Sequence, residues 1–174
     1  MGGSGPDLDA ALQQIAYVAD ELESLSVLVD RVPAVMLTTA STASTISVAD
    51  VLAARHRRDE RLVTSLSDGR FPAGEVWEMA PEALNQSPTS PTGADELPDL
   101  LRASARVRRD LVGLLSVLVE NYGATTAGGT PQDLGEDLEG FAAKLYGLVH
   151  ADAAVFREVA YVLYSGPVTG RKGG

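Results

Sequence analysis

The chain has 174 residues, 24 acidic and 14 basic side chains and a formal net charge of −10, which suits one domain able to bury about two-thirds of its unfolded surface. It has no cysteine, which excludes disulfide scaffolds, thiolate catalysis and cysteine-ligated zinc or iron–sulfur sites. No apolar run reaches the roughly 20 residues of a membrane helix, and the start Met1-Gly-Gly-Ser-Gly-Pro6 lacks the basic and apolar regions of a signal peptide, so a cytoplasmic location is expected.

Four segments repeat apolar residues at steps of three and four, and none alternates with period two. The first helix is predicted over 7–31, with Leu8, Leu12, Ile15, Ala19, Leu22, Leu25 and Val29 as its stripe. Pro6 and Asp7 suit its start, and Pro33 ends it. The second covers 47–67 through Val48, Val51, Leu52, Leu62, Val63 and Leu66. Ser47-Val-Ala-Asp50 resembles a capping box, and Asp68-Gly69 stops the helix. The third covers 95–122 through Leu97, Leu100, Leu101, Leu111, Leu114, Leu115, Leu118 and Tyr122, with Gly123 as its cap.

The fourth is predicted over 130–165. It opens on Thr130-Pro131 and continues from Leu134 and Leu138 to Leu163, and Gly166-Pro167 ends it. Four such stripes are buried together in an all-α four-helix bundle spanning 7–165. The link 32–46 is long enough for a crossover between helices one and two. A longer link, 69–94, holds Pro72, Pro81, Pro88, Pro91 and Trp77 and precedes helix three. The short link 123–129 predicts that helices three and four are antiparallel neighbours. The glycine-rich ends 1–6 and 166–174 are expected to be mobile.

The stripes are interrupted by polar residues. Helix two carries Arg55, His56 and Asp59 where its inner face should be apolar, helix three carries Ser104 and Arg108, helix four carries Asp152, and helix one carries Ser26. A lone buried charge costs several kcal/mol, so these groups must be paired, hydrated or at a cavity. One reading is a polar ligand pocket lined by Arg55, His56, Asp59, Arg108 and Asp152. The other is a shallow face on which arginines reach water and Asp59 and Asp152 make structural ion pairs.

His56, beside Asp59 and Glu60, is a candidate base or ligand. His150 lies on the flank of helix four, and no His-x3-His or Glu-x-x-His pair exists for a helix-borne metal. Arg55, Arg57, Arg58, Arg61, Arg102, Arg106, Arg108 and Arg109 make up 8 of the 14 basic residues. The interleaved acids, the net charge and the lack of stacking aromatics argue against nucleic acid, and solvated helix faces with local ion pairs are expected instead.

The stretch Ile46-Ser-Val-Ala-Asp-Val-Leu-Ala-Ala-Arg-His-Arg-Arg-Asp59 resembles the second helix of the DinB-like (YfiT-like) helical bundle family, where Ser-Val-x-Glu-Ile-Leu-Ala-His opens the helix. Ala151-Asp-Ala-Ala-Val-Phe-Arg-Glu-Val159 resembles that family's last-helix pattern, His-Asp-x-x-His-x-x-Gln-Ile. The resemblance implies the fold. Family members often hold a divalent metal on three histidines, but the matching positions here are Ala54, Ala151 and Val155, so no metal or other cofactor is expected. It implies a homodimer that binds a small ligand, an anion being one option, in a stress-related role without nucleic acid or membrane. The alternatives are a metal-free or thiol-dependent transferase or hydrolase using His56, Asp59 and Asp152 with Arg55, and a zinc or nickel protein with an atypical site around His56, His150 and carboxylates.

Overall fold

A computed structural model describes residues 7–39, 47–78, 92–126 and 138–169. Among the described residues the chain is all helical. Four helices are long: α1 Leu8–Leu28, α3 Val48–Ser67, α5 Leu97–Thr126 and α6 Leu138–Thr169. Two are short: α2 Ala34–Thr38 and α4 Gly74–Glu78. A 3₁₀ turn, Val29–Arg31, extends α1.

Local chemistry sets the helix ends. The Asp7 carboxylate accepts from the Ala10 N–H at 2.9 Å and caps α1. Ser47 Oγ accepts from the Asp50 N–H at 3.1 Å and caps α3. Asp50, expected to close that box, accepts from the Thr92 N–H at 3.0 Å and so ties the start of α3 to the approach to α5. Gly69, at φ +72°, takes the left-handed conformation that ends α3 where predicted.

Two ends overrun their predicted stops. α5 passes through Gly123 to Thr126, because a helical glycine costs only about 1 kcal/mol. α6 passes Gly166-Pro167 to Thr169, because proline has a helical φ of its own and the loss falls in a final turn. The predicted start of α6 at Thr130-Pro131, Leu134, the ends 1–6 and 170–174, and the prolines at 81, 88 and 91 lie outside the described residues.

The interior consists of two apolar clusters. One joins Leu8 and Ile15 of α1, Leu62 of α3, Trp77 of α4, Leu111 to Tyr122 of α5 and Phe141 to Leu148 of α6. The other joins Leu22 to Val29, Val48 to Leu52, Leu97 to Ala105, and Val155 with Val159. Cluster membership gives the helix directions. α1 and α6 run from the first cluster to the second, and α3 and α5 run back.

Backbones pack α1 against α5 and α6, and α3 against the same two helices. The four long helices therefore form a square in the order α1, α5, α3, α6. The structure corrects two expectations. α5 and α6 are antiparallel, as predicted, but they lie on a diagonal rather than side by side. The link that must run the length of the molecule is the one from α3 to α5, because α1 ends and α3 begins at the same cluster. Loop length alone does not reveal which stripes face each other.

At the first cluster the long second link folds inward. Trp77 is fully buried, donates Nε1–H to the Pro72 carbonyl at 3.1 Å and stacks on Phe71 at 5.6 Å. Phe71 meets the edge of Phe141, which stacks on Tyr122 at 4.7 Å. α4 packs on α6 with the Glu78 side chain across Gly147, where a Cβ would lie 2.9 Å from its Cγ. Gly147→Leu is therefore expected to lift α4 and expose Trp77. Tryptophan emission should shift to the red with little change in far-UV circular dichroism. Unchanged emission would show that the Glu78 side chain swings aside and α4 stays docked.

Candidate functional site

The two apolar clusters meet at a layer of buried charge. Arg55, Arg58 and Asp59 come from α3, Arg108 from α5 and Asp152 from α6, and all five side chains are at most 4% exposed. Helix geometry brings three of them inward on one element. Arg55 and Asp59 are one turn apart, and Val51, Arg55, Arg58 and Leu62 form a second row at steps of four, three and four, buried throughout.

Arg108 is the hub. Its Nε–H and Nη2–H donate to the two oxygens of Asp59 at 2.9 and 3.1 Å, and Nη1–H donates to Asp152 Oδ2 at 2.7 Å and to the Ile15 carbonyl of α1 at 3.2 Å. One guanidinium thus touches all four long helices. Arg55 bridges Asp59 at 2.8 Å and Asp152 at 3.1 Å, and Arg58 contacts Asp59 at 2.9 Å and Asp152 at 2.8 Å. Forked, charge-assisted bonds of this kind suit arginine's planar donor set.

Burial alone raises both carboxyl pKa values, but the guanidiniums outweigh it, Arg108 foremost. Asp59 is held at about 2, from 3.8, and Asp152 lies well below the ordinary carboxylate range. Burial also acts against the arginines. It wins at Arg55, which is lowered. At Arg108 the charges of Asp152 and Asp59 win, and the group is raised. The difference follows from the bonding. Every nitrogen of Arg108 is engaged, whereas Arg55 Nη1 is buried with no hydrogen-bond partner among the described residues, as is Arg58 Nη1. Three guanidiniums against two carboxylates leave the layer with a formal charge of +1.

The structure thus brings together four of the residues predicted to line a ligand pocket, Arg55, Asp59, Arg108 and Asp152. They face one another rather than an open space, and the lone pairs of both carboxylates are occupied by arginines. His56 stays outside the layer, half-buried, with Nε2 3.1 Å from Glu60 Oε1. His150 is exposed. Ala54 and Val155 are buried and Ala151 is half-buried, and no group of three or more His, Asp or Glu side chains placed to hold a metal ion occurs among the described residues.

The expected solvated arginine faces hold for Arg57, Arg61, Arg102, Arg106 and Arg109, all exposed. They fail for Arg58 as well as for Arg55 and Arg108. The signal for Arg58 was its place in the row 51, 55, 58, 62, hidden because arginine at such a position reads as a surface residue.

A cleft of about 380 Å³ opens beside this layer, between the parallel C-terminal halves of α1 and α6. Tyr17, Asp20, Glu21, Ser24, Leu25 and Leu28 form one wall, and Phe156, Val159, Ala160, Leu163 and Tyr164 form the other. None of the predicted site residues lines it. The Arg55 guanidinium lies 5.9 Å from the centre of the Phe156 ring, so that ring separates the buried charges from the cleft. Sequence reasoning missed the α1 wall, although Tyr17, Glu21, Ser24 and Leu28 repeat at steps of three and four beside the main stripe. Comparison with protein-family models, curated proteins and solved structures found no match.

Arg108 makes the forked pair on Asp59, the bond to Asp152 Oδ2 and the layer's bond to the Ile15 carbonyl of α1, so Arg108→Met is expected to cost about 3–5 kcal/mol in urea unfolding. Arg58→Met leaves two arginines facing two carboxylates and removes one orphaned donor. It should be the mildest substitution among the five. Both variants leave two arginines facing two carboxylates, so an equal loss would show that the layer's stability follows its net charge rather than the bonding of Arg108.

The lowered Asp59 pKa gives a direction with pH. Its stabilisation is complete well above the unfolded value of 3.8 and is lost as the pH falls through about 2. The urea midpoint should therefore stay flat from pH 8 to about 5 and fall steeply below about 4. In Asp59→Asn, that acid limb should be shallower.

Proposed function

We propose that this chain is a divergent DinB-like four-helix bundle without the family's metal chemistry, and that it binds a small molecule in the cleft between α1 and α6. The observation that carries the binding reading is the cleft itself. Its volume falls in the range of about 300–1,000 Å³ of small-molecule sites. It has an apolar floor of Leu25, Val159 and Leu163, and a few polar groups stand at its edge. Tyr17, Leu28 and Tyr164 are 62%, 41% and 74% exposed around it, a concentration of large side chains that a buried ligand would cover.

Four long helices support the family reading, and the apolar side chains Ala54, Ala151 and Val155, where family members carry histidines, argue against its metal chemistry here. The saturated pairing of Asp59 and Asp152 supports a binding role over acid–base chemistry at those carboxylates. An anionic ligand, suggested by the arginine-rich sequence, is disfavoured, because no basic side chain among the described residues lines the cleft.

Nile red, a neutral solvatochromic dye, tests the reading. Its emission should rise and shift to the blue with the wild-type protein. Ala160→Trp, which fills the cleft from α6, should abolish this with unchanged circular dichroism. Equal dye binding by the filled variant would place binding elsewhere.

A further inference from the structure

We infer that the α1–α6 cleft selects a lipophilic cation: an apolar body carrying an ammonium or amidinium head that sits against Glu21. This rests on the binding reading above and names its ligand class. Among the described residues, the charged side chains lining the cleft are Asp20 and Glu21, both acidic. Asp20 is only loosely engaged. It lies 3.4 Å from Arg109, whose shorter contact, 2.7 Å, goes to Glu23. Glu21 is half-buried and makes no ion pair with any described residue.

Aromatic rings complete the recognition. Tyr17, Phe156 and Tyr164 line the same cleft, and ring faces attract cations most strongly where water is excluded. The apolar floor receives the body of the ligand. Arg55, behind Phe156, opposes a cation. Its charge, however, is held on Asp59 at 2.8 Å and on Asp152 at 3.1 Å.

Glu21 carries the mark of a side chain kept against stability. Burial, and next the negative charge of Asp152, raise its pKa. A raised carboxyl pKa means that the charged form is less favoured in the folded chain than in the unfolded one, so at neutral pH ionised Glu21 destabilises the empty protein. A cation in the cleft removes that cost.

The test uses protein loaded with Nile red. Decyltrimethylammonium and decyl sulfate, each below its critical micelle concentration, share a chain and differ in head charge. The cation is expected to displace the dye, and the anion to do so at least about tenfold more weakly. Glu21→Gln should weaken displacement by the cation about tenfold, measured against the variant's own Nile red affinity, and raise the urea midpoint of the unliganded protein at pH 7. Asp20→Asn should show a smaller loss.

Displacement by decyl sulfate as effective as by the cation would overturn the cation assignment while leaving the small-molecule cleft intact. An unaltered response of Glu21→Gln would do the same. Absence of Nile red binding to the wild type would overturn both. A gain in stability without a loss of cation affinity would make Glu21 a structural residue only and would also reject the assignment.

Discussion

Arg108 touches every long helix, and the arrangement of the molecule depends on it. Its guanidinium lies where the diagonals of the helix square cross. It grips Asp59 with two nitrogens and Asp152 with the third, and also reaches the Ile15 carbonyl. Burying five charges costs several kcal/mol per ion before pairing, so the layer tolerates little displacement. Sliding a helix by one turn, about 5.4 Å, would separate each donor from its acceptor. Apolar packing above and below has no such register, because one leucine can substitute for another. The charge layer therefore specifies which faces meet and at what level, and the two apolar clusters contribute most of the stabilisation.

The same layer shapes the space beside it. Its net charge of +1 stays inside, walled off by Phe156, while the exposed side of α1 turns two carboxylates toward the α1–α6 cleft. The electrostatic character of the surface is thus opposite to that of the nearest core. Asp152 connects the two. It neutralises arginines on one side, and on the other it makes the charge of Glu21 more costly. A ligand entering the cleft meets a field set partly by residues it never touches.

The diagonal placement of α5 and α6 matters for the same reason. Helices on a diagonal meet through long side chains, as Arg108 does with Asp152 and Tyr122 with Phe141. Neighbours α1 and α6 run parallel. They are joined at one end by the Asp7 N–H donating to Tyr146 Oη at 3.0 Å, and toward the other end they line the cleft. The cleft lies between the second apolar cluster and solvent, with Leu25 and Val159 belonging to both the core and the floor.

The sequence by itself determined the four long helices but not the short α2 and α4, which lie in segments it gave as links. Apolar periodicity, Asp7, Ser47 and Gly69 marked four long segments and most of their ends, because these signals act within a few residues. It also singled out Arg55, Asp59, Arg108 and Asp152 as misfits on apolar faces, since a charge in a stripe is visible without partners. Only the tertiary structure decided that these misfits satisfy one another, that Arg58 joins them while His56 turns to Glu60, and that the helix order is α1, α5, α3, α6. Pairing depends on the relative height and rotation of helices that lie up to 97 residues apart, as Arg55 and Asp152 do. No local pattern encodes that geometry. The cleft was hidden for a related reason: its walls, Tyr17 to Leu28 and Phe156 to Tyr164, are two unremarkable helix flanks that form a site only when packing sets them side by side.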